Sequence, residues 1–194
     1  MGMKLDKSLF QATCKKLLFN TALPIQYPYQ ESVFVLNDKS SQFESMQTMM
    51  GQGKTLITPI HLSMISAAIA NDGILMKPYI ITAIENHHGK IIKKYQPFRY
   101  STLFSTEDTI ALKKCMRSVV EYGTAKLLNS DRYTAYGKTG TAQLEDGSRN
   151  NSLFMGFAQT EGKKLAVCVV IEDSGEGTMP AVTVTKAIFD CYFE

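Results

Sequence analysis

The chain has 194 residues, of which 44% are hydrophobic and 20% are charged, and these proportions exclude an intrinsically disordered protein. A net charge of +3, with no run of Lys or Arg longer than two, argues against a nucleic-acid partner. No apolar run approaches the roughly 18 residues that cross a bilayer, and the N-terminus lacks a signal-peptide pattern. Composition therefore predicts a globular domain, or part of one.

Cysteine and histidine usage gives no metal or disulfide framework. The four cysteines are far apart and form no Cys-x-x-Cys pair, so buried structural thiols are expected. Two of the three histidines, His87 and His88, stand together in a turn signal, and His61 is expected in the core. We therefore predict no metal and no cofactor. The cysteines are Cys14, Cys115, Cys168 and Cys191.

The N-terminal third combines two helical patterns with a long irregular stretch. Apolar residues recur at a helical period over residues 5–18, with lysines on the opposite side. Residues 20–45 contain prolines and turn clusters without a sustained period, which predicts a long surface loop. Thr58-Pro59 then begins a helix, with Thr58 as N-cap, that is apolar on nearly every face and ends at Asn71-Asp72-Gly73.

A phosphate-binding loop is suggested by Gly51-Gln52-Gly53-Lys54-Thr55 but is not supported. That motif requires a glycine five residues before the Gly-Lys pair, where this chain has Thr48, and a strand in front of it. We therefore assign no nucleotide-binding role to this segment.

The middle of the chain predicts a hairpin followed by a helix. Residues 79–85 and 90–95 flank the turn signal Asn86-His87-His88-Gly89, and the charged second arm is expected to be exposed. Ser105 and Asp108 have the spacing of a capping box and precede an amphipathic helix that ends near Gly123. Thr124 is predicted to cap a short turn through Leu128.

The last third predicts three strands and a helix. Strands at 133–143, 152–158 and 165–171 are joined by polar turns, as in an antiparallel meander. Pro180 begins a C-terminal helix with one apolar side, which must be held by packing on the sheet because its β-branched residues have low helix propensity. The expected class is α+β, an antiparallel sheet packed with helices. The apolar side is Ala181, Val184, Ala187, Ile188 and Cys191.

One strand carries a pattern suited to a ligand. The segment Tyr136–Gln143 places two glycines and two threonines around Lys138. Glycines weaken a strand and commonly mark a close approach to the backbone. A cation with neighbouring hydroxyl and main-chain donors suits a carboxylate, because charge-assisted hydrogen bonds are about twice as strong as neutral ones.

The ordered set of motifs resembles the transpeptidase domain of penicillin-binding proteins, with the class B elongation and division enzymes as the nearest match. Lys138-Thr139-Gly140 is similar to the Lys-Thr-Gly signature of that family. The likeness covers almost the whole chain. The other similar segments, in matching spacing, are Gly51-Gln52-Gly53, Thr58-Pro59, Ala67–Gly73, Gly123-Thr124-Ala125 and Phe154–Ala158.

The resemblance implies a partial β-lactamase/transpeptidase-like fold, because two family motifs are missing. No serine is followed by lysine three positions later, so the nucleophilic Ser-x-x-Lys is absent. The only Ser-x-Asn match, Ser148-Arg149-Asn150, follows Lys-Thr-Gly rather than preceding it, and we regard it as coincidence. Residues 1–194 are expected to be the C-terminal part of one transpeptidase domain, helical to about 75, with a hairpin and helix at about 78–130 and the sheet and last helix at about 131–194.

The resemblance assigns functional roles only to residues at the Lys-Thr-Gly motif, Lys138-Thr139-Gly140, and to Thr141 beside it. Lys138 would polarise a hydroxyl of the absent motif, and the hydroxyls of Thr139 and Thr141 would hold a substrate carboxylate. The Thr141 backbone N–H would form half of an oxyanion hole, and Gly140 would keep the strand edge open. Family members often carry a Trp near Leu153-Phe154, and this chain has no Trp.

The implied function is that of a parent serine D,D-transpeptidase that cross-links peptidoglycan stem peptides and is acylated by β-lactams. The parent would be anchored at the extracytoplasmic face of a bacterial membrane, whereas this chain alone would be inactive. Alternatives are a non-catalytic β-lactam sensor or interaction module, or a fragment of a D,D-carboxypeptidase or serine β-lactamase. The segment 51–73 argues against the β-lactamases.

The resemblance also predicts self-association of the chain. In the family, the strand at Leu165–Ile171 pairs with an N-terminal strand, and catalytic helices cover the helix at Thr58–Asn71. The chain should therefore present an unpaired apolar edge along 165–171 and uncovered apolar surface on that helix. Edge pairing or exchange of the N-terminal helix would follow.

Overall fold

A computed structural model of the protein describes residues 6–143, 150–175 and 177–194. Five α-helices and seven strands are present in these ranges, with one 3-10 turn at Lys126–Leu128. The α+β class expected from the sequence is confirmed. In chain order the elements are α1 (Lys7–Lys16), α2 (Gln42–Met49), α3 (Pro59–Ala70), β1 (Ile74–Met76), β2 (Ala83–Glu85), β3 (Ile91–Lys94), β4 (Arg99–Thr102), α4 (Thr106–Glu121), β5 (Thr134–Gln143), β6 (Asn150–Gln159), β7 (Lys164–Ile171) and α5 (Met179–Tyr192).

The main sheet is the antiparallel meander that strand spacing predicted, in the order β5-β6-β7. Its two faces bury different aromatic side chains of β6. Phe154 packs in a cluster with Val182 and Phe189 of α5, whereas Phe157 packs with Ile65 and Ile69 of α3. Because residues three apart on a strand point to opposite faces, one strand anchors both layers.

Helix α3 is the central helix, as its all-round apolar pattern predicted. The helix ends at Ala70, and the chain then turns away through Asp72 and Gly73, which both have positive φ; a Cβ at Gly73 would lie 2.4 Å from the Phe104 carbonyl oxygen. Lys164 donates to the Ala70 carbonyl at 3.1 Å, so a cation lies at the negative helix end. Lys113 pairs with Asp72 at 2.7 Å and holds the pKa of that carboxyl below its usual range.

The expectation that α3 leaves apolar surface uncovered is wrong. Seven of its residues are buried in the described part of the chain: His61, Met64, Ile65, Ser66, Ala68, Ile69 and Ala70. The cause is local. The segment 17–36 packs on α3 through Leu23, which clusters with Met64 and Ala68, and through Phe19, whose ring centroid lies 5.1 Å from that of His61.

His61 is a core residue, as expected, and its Nε2 donates to the Leu17 carbonyl oxygen at 2.7 Å. Burial lowers the pKa of this imidazole, so it is neutral near pH 7. Thr58 precedes the helix but makes no side-chain capping bond, so the predicted N-cap is positional only.

Residues 20–45 are irregular, as predicted, up to the start of α2, which the sequence reading missed. Ser41 and Glu44 form a complete capping box at its N-terminus. The Ser-x-x-Glu spacing that signals such a box is present in the sequence and could have identified the helix. A bridge between Val33 and Leu56 closes this region against α3.

Between α3 and α4 in the chain lie four short strands that form two small antiparallel sheets, β1-β4 and β2-β3. The predicted hairpin is confirmed as β2-β3, with Asn86 organising the turn by accepting from the His88 and Lys90 backbone N–H groups. The pairing of β1 with β4 was not predicted, because each strand is only three or four residues long. Helix α4 begins at the predicted cap, where Ser105 accepts from the Asp108 N–H, and ends at Glu121, two residues short of Gly123.

Helix α5 is present, but its predicted apolar side is wrong at four of five positions, and only Ala181 is buried as expected. Val184, Ala187, Ile188 and Cys191 are exposed, whereas Ala181, Val182, Thr185 and Phe189 are buried against the sheet. Phe189 is the largest apolar side chain of the helix, and its burial decides the rotation of the helix about its axis.

A polar network joins α5 to the start of β5. The Tyr133 hydroxyl donates to Asp190 at 2.9 Å, and Asp190 also pairs with Lys186 and Arg132. Burial, followed by the neighbouring Asp190, raises the pKa of Tyr133 to about 12.

The expectation of buried thiols holds for Cys14, but Cys115 and Cys191 are exposed and Cys168 is half-buried. No helix in the described ranges is long and apolar enough to cross a bilayer.

Candidate active site

The strand that carries Lys138 lies at one edge of the main sheet. Strand β5 pairs with β6 on one side, with Lys138 opposite Met155 and Thr139 opposite Phe154. Its N-terminal half is held by α4, because Arg117 donates to the Ala135 carbonyl at 3.2 Å and also pairs with Glu121. The half that begins at Lys138 is therefore placed on a rigid support of sheet and helix.

The two glycines of this strand, Gly137 and Gly140, have different surroundings and therefore different structural roles. A Cβ at Gly137 would lie 2.2 Å from the Phe154 ring, so this glycine makes room for a core aromatic side chain rather than for a ligand. Its partner across the ladder, Gly156, is equally crowded, at 2.2 Å from the Tyr136 carbonyl oxygen. Gly140 differs, since its nearest neighbour would be the Leu153 Cβ at an ordinary 3.6 Å. Only Gly140 lies where the strand is open.

Lys138 and Thr139 are successive residues and therefore point to opposite faces of the sheet. The Lys138 side chain is exposed, and its Nζ donates to the Thr139 carbonyl oxygen at 2.6 Å. Thr139 is only 5% exposed, so its hydroxyl is nearly inaccessible from solvent. The two side chains predicted to act together thus differ sharply in exposure.

The Thr139 hydroxyl has a specific partner, Thr124, at 2.5 Å between the two Oγ1 atoms. Thr124 is not the cap of the turn through Leu128, as the sequence suggested, because Ala125 occupies that position. Gly123 lets the chain leave α4 sharply, since a Cβ there would lie 2.9 Å from the Val119 backbone. Ala125 is fully buried. Sequence reasoning noted this tripeptide but missed its contact with the Lys-Thr-Gly strand.

Thr141 is half-buried and lies opposite Ser152 in the ladder. Ser152 is buried, and its hydroxyl accepts from the Ala181 backbone N–H at 3.2 Å, which ties the first turn of α5 to the sheet next to Thr141. The polar turn 145–148 and two residues of the Ser148-Arg149-Asn150 match lie outside the described residues. Asn150 is the first residue of β6. In the described ranges, no cluster of three His, Cys, Asp or Glu side chains converges as metal ligands would.

Comparison with known proteins places these features in a family. Residues 1–191 match the model of the penicillin binding protein transpeptidase domain. The chain is 27% identical over 161 residues to the peptidoglycan D,D-transpeptidase MrdA of Acinetobacter baumannii, covering 76% of this chain and 24% of that protein. It is 34% identical over 142 residues to the stage V sporulation protein D of Bacillus subtilis, covering 70% of this chain and 22% of that protein.

Solved structures share the fold. Penicillin-binding protein A of M. tuberculosis, in its imipenem acyl-enzyme complex, superposes with a TM-score of 0.86 at 20% identity, covering all of this chain and 43% of that one. The D,D-transpeptidase domain of a peptidoglycan glycosyltransferase from Eggerthella lenta gives 0.81 at 24% identity, covering 98% and 49%. The chain spans about a quarter of the length of the two curated relatives, and 43% and 49% of the length of the two solved structures. It belongs to the penicillin-binding protein transpeptidase domain family.

Proposed function

We propose that this chain is the C-terminal part of a serine D,D-transpeptidase that cross-links peptidoglycan stem peptides through an acyl-enzyme and is acylated by β-lactams. The observation that carries the proposal is the open half of β5. An exposed Lys138 and an uncrowded Gly140 lie on an edge strand whose buried side is fixed by Thr124, Phe154 and α5.

In this proposal Lys138 supplies positive potential and polarises the hydroxyl of a Ser-x-Asn motif outside this chain. The Thr141 N–H is one donor of an oxyanion hole, and a donor of that kind is typically worth ~3 kcal/mol of transition-state stabilisation. Thr139 and Thr141 bind the terminal carboxylate of the stem peptide. Because Thr139 is only 5% exposed, this role requires that substrate binding makes its hydroxyl accessible. The release of the Lys138 ammonium from the Thr139 carbonyl would accompany substrate binding.

The hydrogen bond between Thr124 and Thr139 limits how the Thr139 hydroxyl can bind a substrate carboxylate. A hydroxyl has one proton to donate and two lone pairs that accept. If Thr139 donates to a carboxylate, its bond with Thr124 must run from the Thr124 hydroxyl to the Thr139 oxygen. Such a chain of donors is polarised in one direction, which strengthens the last donor.

The test is acylation by a fluorescent penicillin, measured by intact mass. A longer protein that contains this chain, with Ser-x-x-Lys and Ser-x-Asn preceding it, should form a stoichiometric adduct. The 194-residue chain alone should form none above a denatured control, because it has no serine with lysine three positions later. A stoichiometric adduct on the chain alone would overturn the proposal that its nucleophile lies elsewhere.

Three further outcomes separate the alternatives. Turnover of a D-Ala-D-Ala stem peptide into cross-linked product supports the transpeptidase, whereas hydrolysis alone supports a D,D-carboxypeptidase and rapid β-lactam hydrolysis a β-lactamase. Acylation without peptide turnover supports a sensor. The parent is proposed to be anchored in the membrane with this domain on the extracytoplasmic side, which protease accessibility in intact cells would test.

We also propose that the chain self-associates when it is produced alone. Helices α3 and α5 pack on the two faces of β7, and the strand has a single ladder partner, β6, among the described residues. Its free backbone groups can pair with a second copy. Light scattering should show an association that depends on concentration, and a monomer across the whole range would contradict this proposal.

A further inference from the structure

The segment 77–100 concentrates both positive charge and exposed apolar side chains. It holds five Lys or Arg and one acidic residue, a net charge of +4, whereas the whole chain carries +3. The remaining residues together are therefore slightly negative. This segment contains the β2-β3 hairpin, the non-strand segments 77–82 and 95–98 on either side of it, and the first two residues of β4. Its cations are Lys77, Lys90, Lys93, Lys94 and Arg99.

Exposed apolar side chains lie between these cations. Ile80 is 81% exposed and Ile92 is 67% exposed, values that are unusual for isoleucine. Concentrations of exposed apolar side chains bordered by polar residues are typical of interaction sites. Lys93 lies over the Tyr95 ring with its Nζ 4.7 Å from the ring centroid, so the charged and apolar groups are interleaved. The other exposed apolar side chains are Tyr79, Ile81, Ile84, Ile91, Phe98 and Tyr100.

The shape of the hairpin limits what can cover it. All four residues of β3 are exposed, and Ile91 and Ile92 are adjacent, so they point to opposite faces of the strand. One flat protein partner would cover one face and leave the other in water. The headgroup region of a bilayer would surround a projecting element on both sides, while lysine side chains reach outward to phosphate groups.

We infer that the hairpin region 77–100 is a peripheral contact for an anionic phospholipid surface. The isoleucines and aromatic rings enter the interface, and the five cations bind the phosphate groups. Insertion is limited to the headgroup level, because a two-stranded hairpin has unpaired backbone groups that hydrocarbon cannot solvate. The inference does not depend on acyl transfer.

The test is co-sedimentation of the whole chain with vesicles of phosphatidylcholine alone or with 30% phosphatidylglycerol. Binding is expected only to the anionic vesicles and should weaken when salt rises from 0.1 to 0.5 M, since the screening length falls below about 10 Å. Lys93→Glu/Lys94→Glu and Ile80→Ser/Ile92→Ser should each weaken binding by about tenfold or more.

Matched controls come from α1 and α2. Lys15→Glu/Lys16→Glu makes the same change in net charge on an exposed helix end, and Phe43→Ser removes an exposed aromatic ring. Both control variants should bind as the parent chain does. The two hairpin variants and the two control variants change seven exposed positions in all, and each variant should keep the thermal midpoint of the parent chain.

Three results would overturn the inference. They are equal binding to neutral vesicles, equal loss of binding in the control variants, and no vesicle binding together with salt-sensitive binding of poly-glutamate. The last result would instead identify an acidic protein surface as the partner.

Discussion

The two outer strands of the main sheet offer different edges. Strand β7 is an apolar run covered on both faces by helices, so its open edge consists of backbone groups beside aliphatic side chains. Strand β5 has its first half held by Arg117, and its second half contains Gly140, the exposed cation of Lys138 and the half-buried hydroxyl of Thr141. An apolar edge suits another strand, whereas a polar and uncrowded edge suits a small charged ligand.

The largest expected effect concerns the cation of the β5 edge. In a longer protein with the two upstream motifs, Lys138→Ala should slow β-lactam acylation by orders of magnitude, because the ammonium acts on the transition state. The thermal midpoint should hardly change, since an exposed strand lysine contributes little to stability. Stopped-flow acylation and calorimetry measure the two quantities. Equal acylation rates in mutant and parent would make Lys138 an ordinary surface residue.

The second prediction tests whether the faces of β7 are covered as described. Burial raises the pKa of Cys168 to about 11. At pH 8 its thiolate fraction should be about 100-fold smaller than that of a thiol at the ordinary value, and alkylation should slow in proportion. Exposed Cys115 and Cys191 serve as internal controls in peptide mass spectrometry. Alkylation of all three at similar rates would show that β7 is open on its face as well as its edge.

A third prediction separates the two glycines of β5. Gly137→Ala should destabilise the chain by about 1–3 kcal/mol, because the new methyl group meets the buried Phe154 ring. Gly140→Ala should be nearly neutral, or stabilise by a few tenths of a kcal/mol, through the less flexible unfolded chain. Urea unfolding measures both. Similar losses at the two positions would mean that the edge at Gly140 is as crowded as the core side.

The smallest expected effect concerns the support beneath the β5 edge. Thr124→Val removes the hydroxyl partner of Thr139 and should slow acylation of the longer protein about fivefold, the value of one hydrogen bond of about 1 kcal/mol. Thr124→Ser keeps a hydroxyl and should restore the rate. A β-lactam methyl ester, which lacks the carboxylate, should be affected much less. A loss that serine does not restore would point to packing instead of the hydroxyl.

Much of this architecture could be read from local patterns. The helix at Pro59–Ala70 follows from Thr58-Pro59 and the left-handed stop at Asp72-Gly73, and the meander follows from three β-rich runs separated by polar turns. The Lys-Thr-Gly tripeptide led to the prediction of a ligand site because it places a cation, a hydroxyl and a glycine next to one another in a strand. These features depend on short-range backbone preferences, which are encoded by residues close together in the sequence.

Other features were decided only by tertiary packing. The buried side of α5 is set by where Phe189 fits against β6, and a helix with apolar residues on several sides does not specify its rotation. Gly137 serves Phe154, 17 positions along the chain, and Thr124 meets Thr139 across the end of α4. By itself the sequence determined most of the elements, with the exception of α2 and the β1–β4 pair, and the residue types along the β5 edge. Only the tertiary structure decided which side chains support that edge, because such contacts join residues that no local pattern relates.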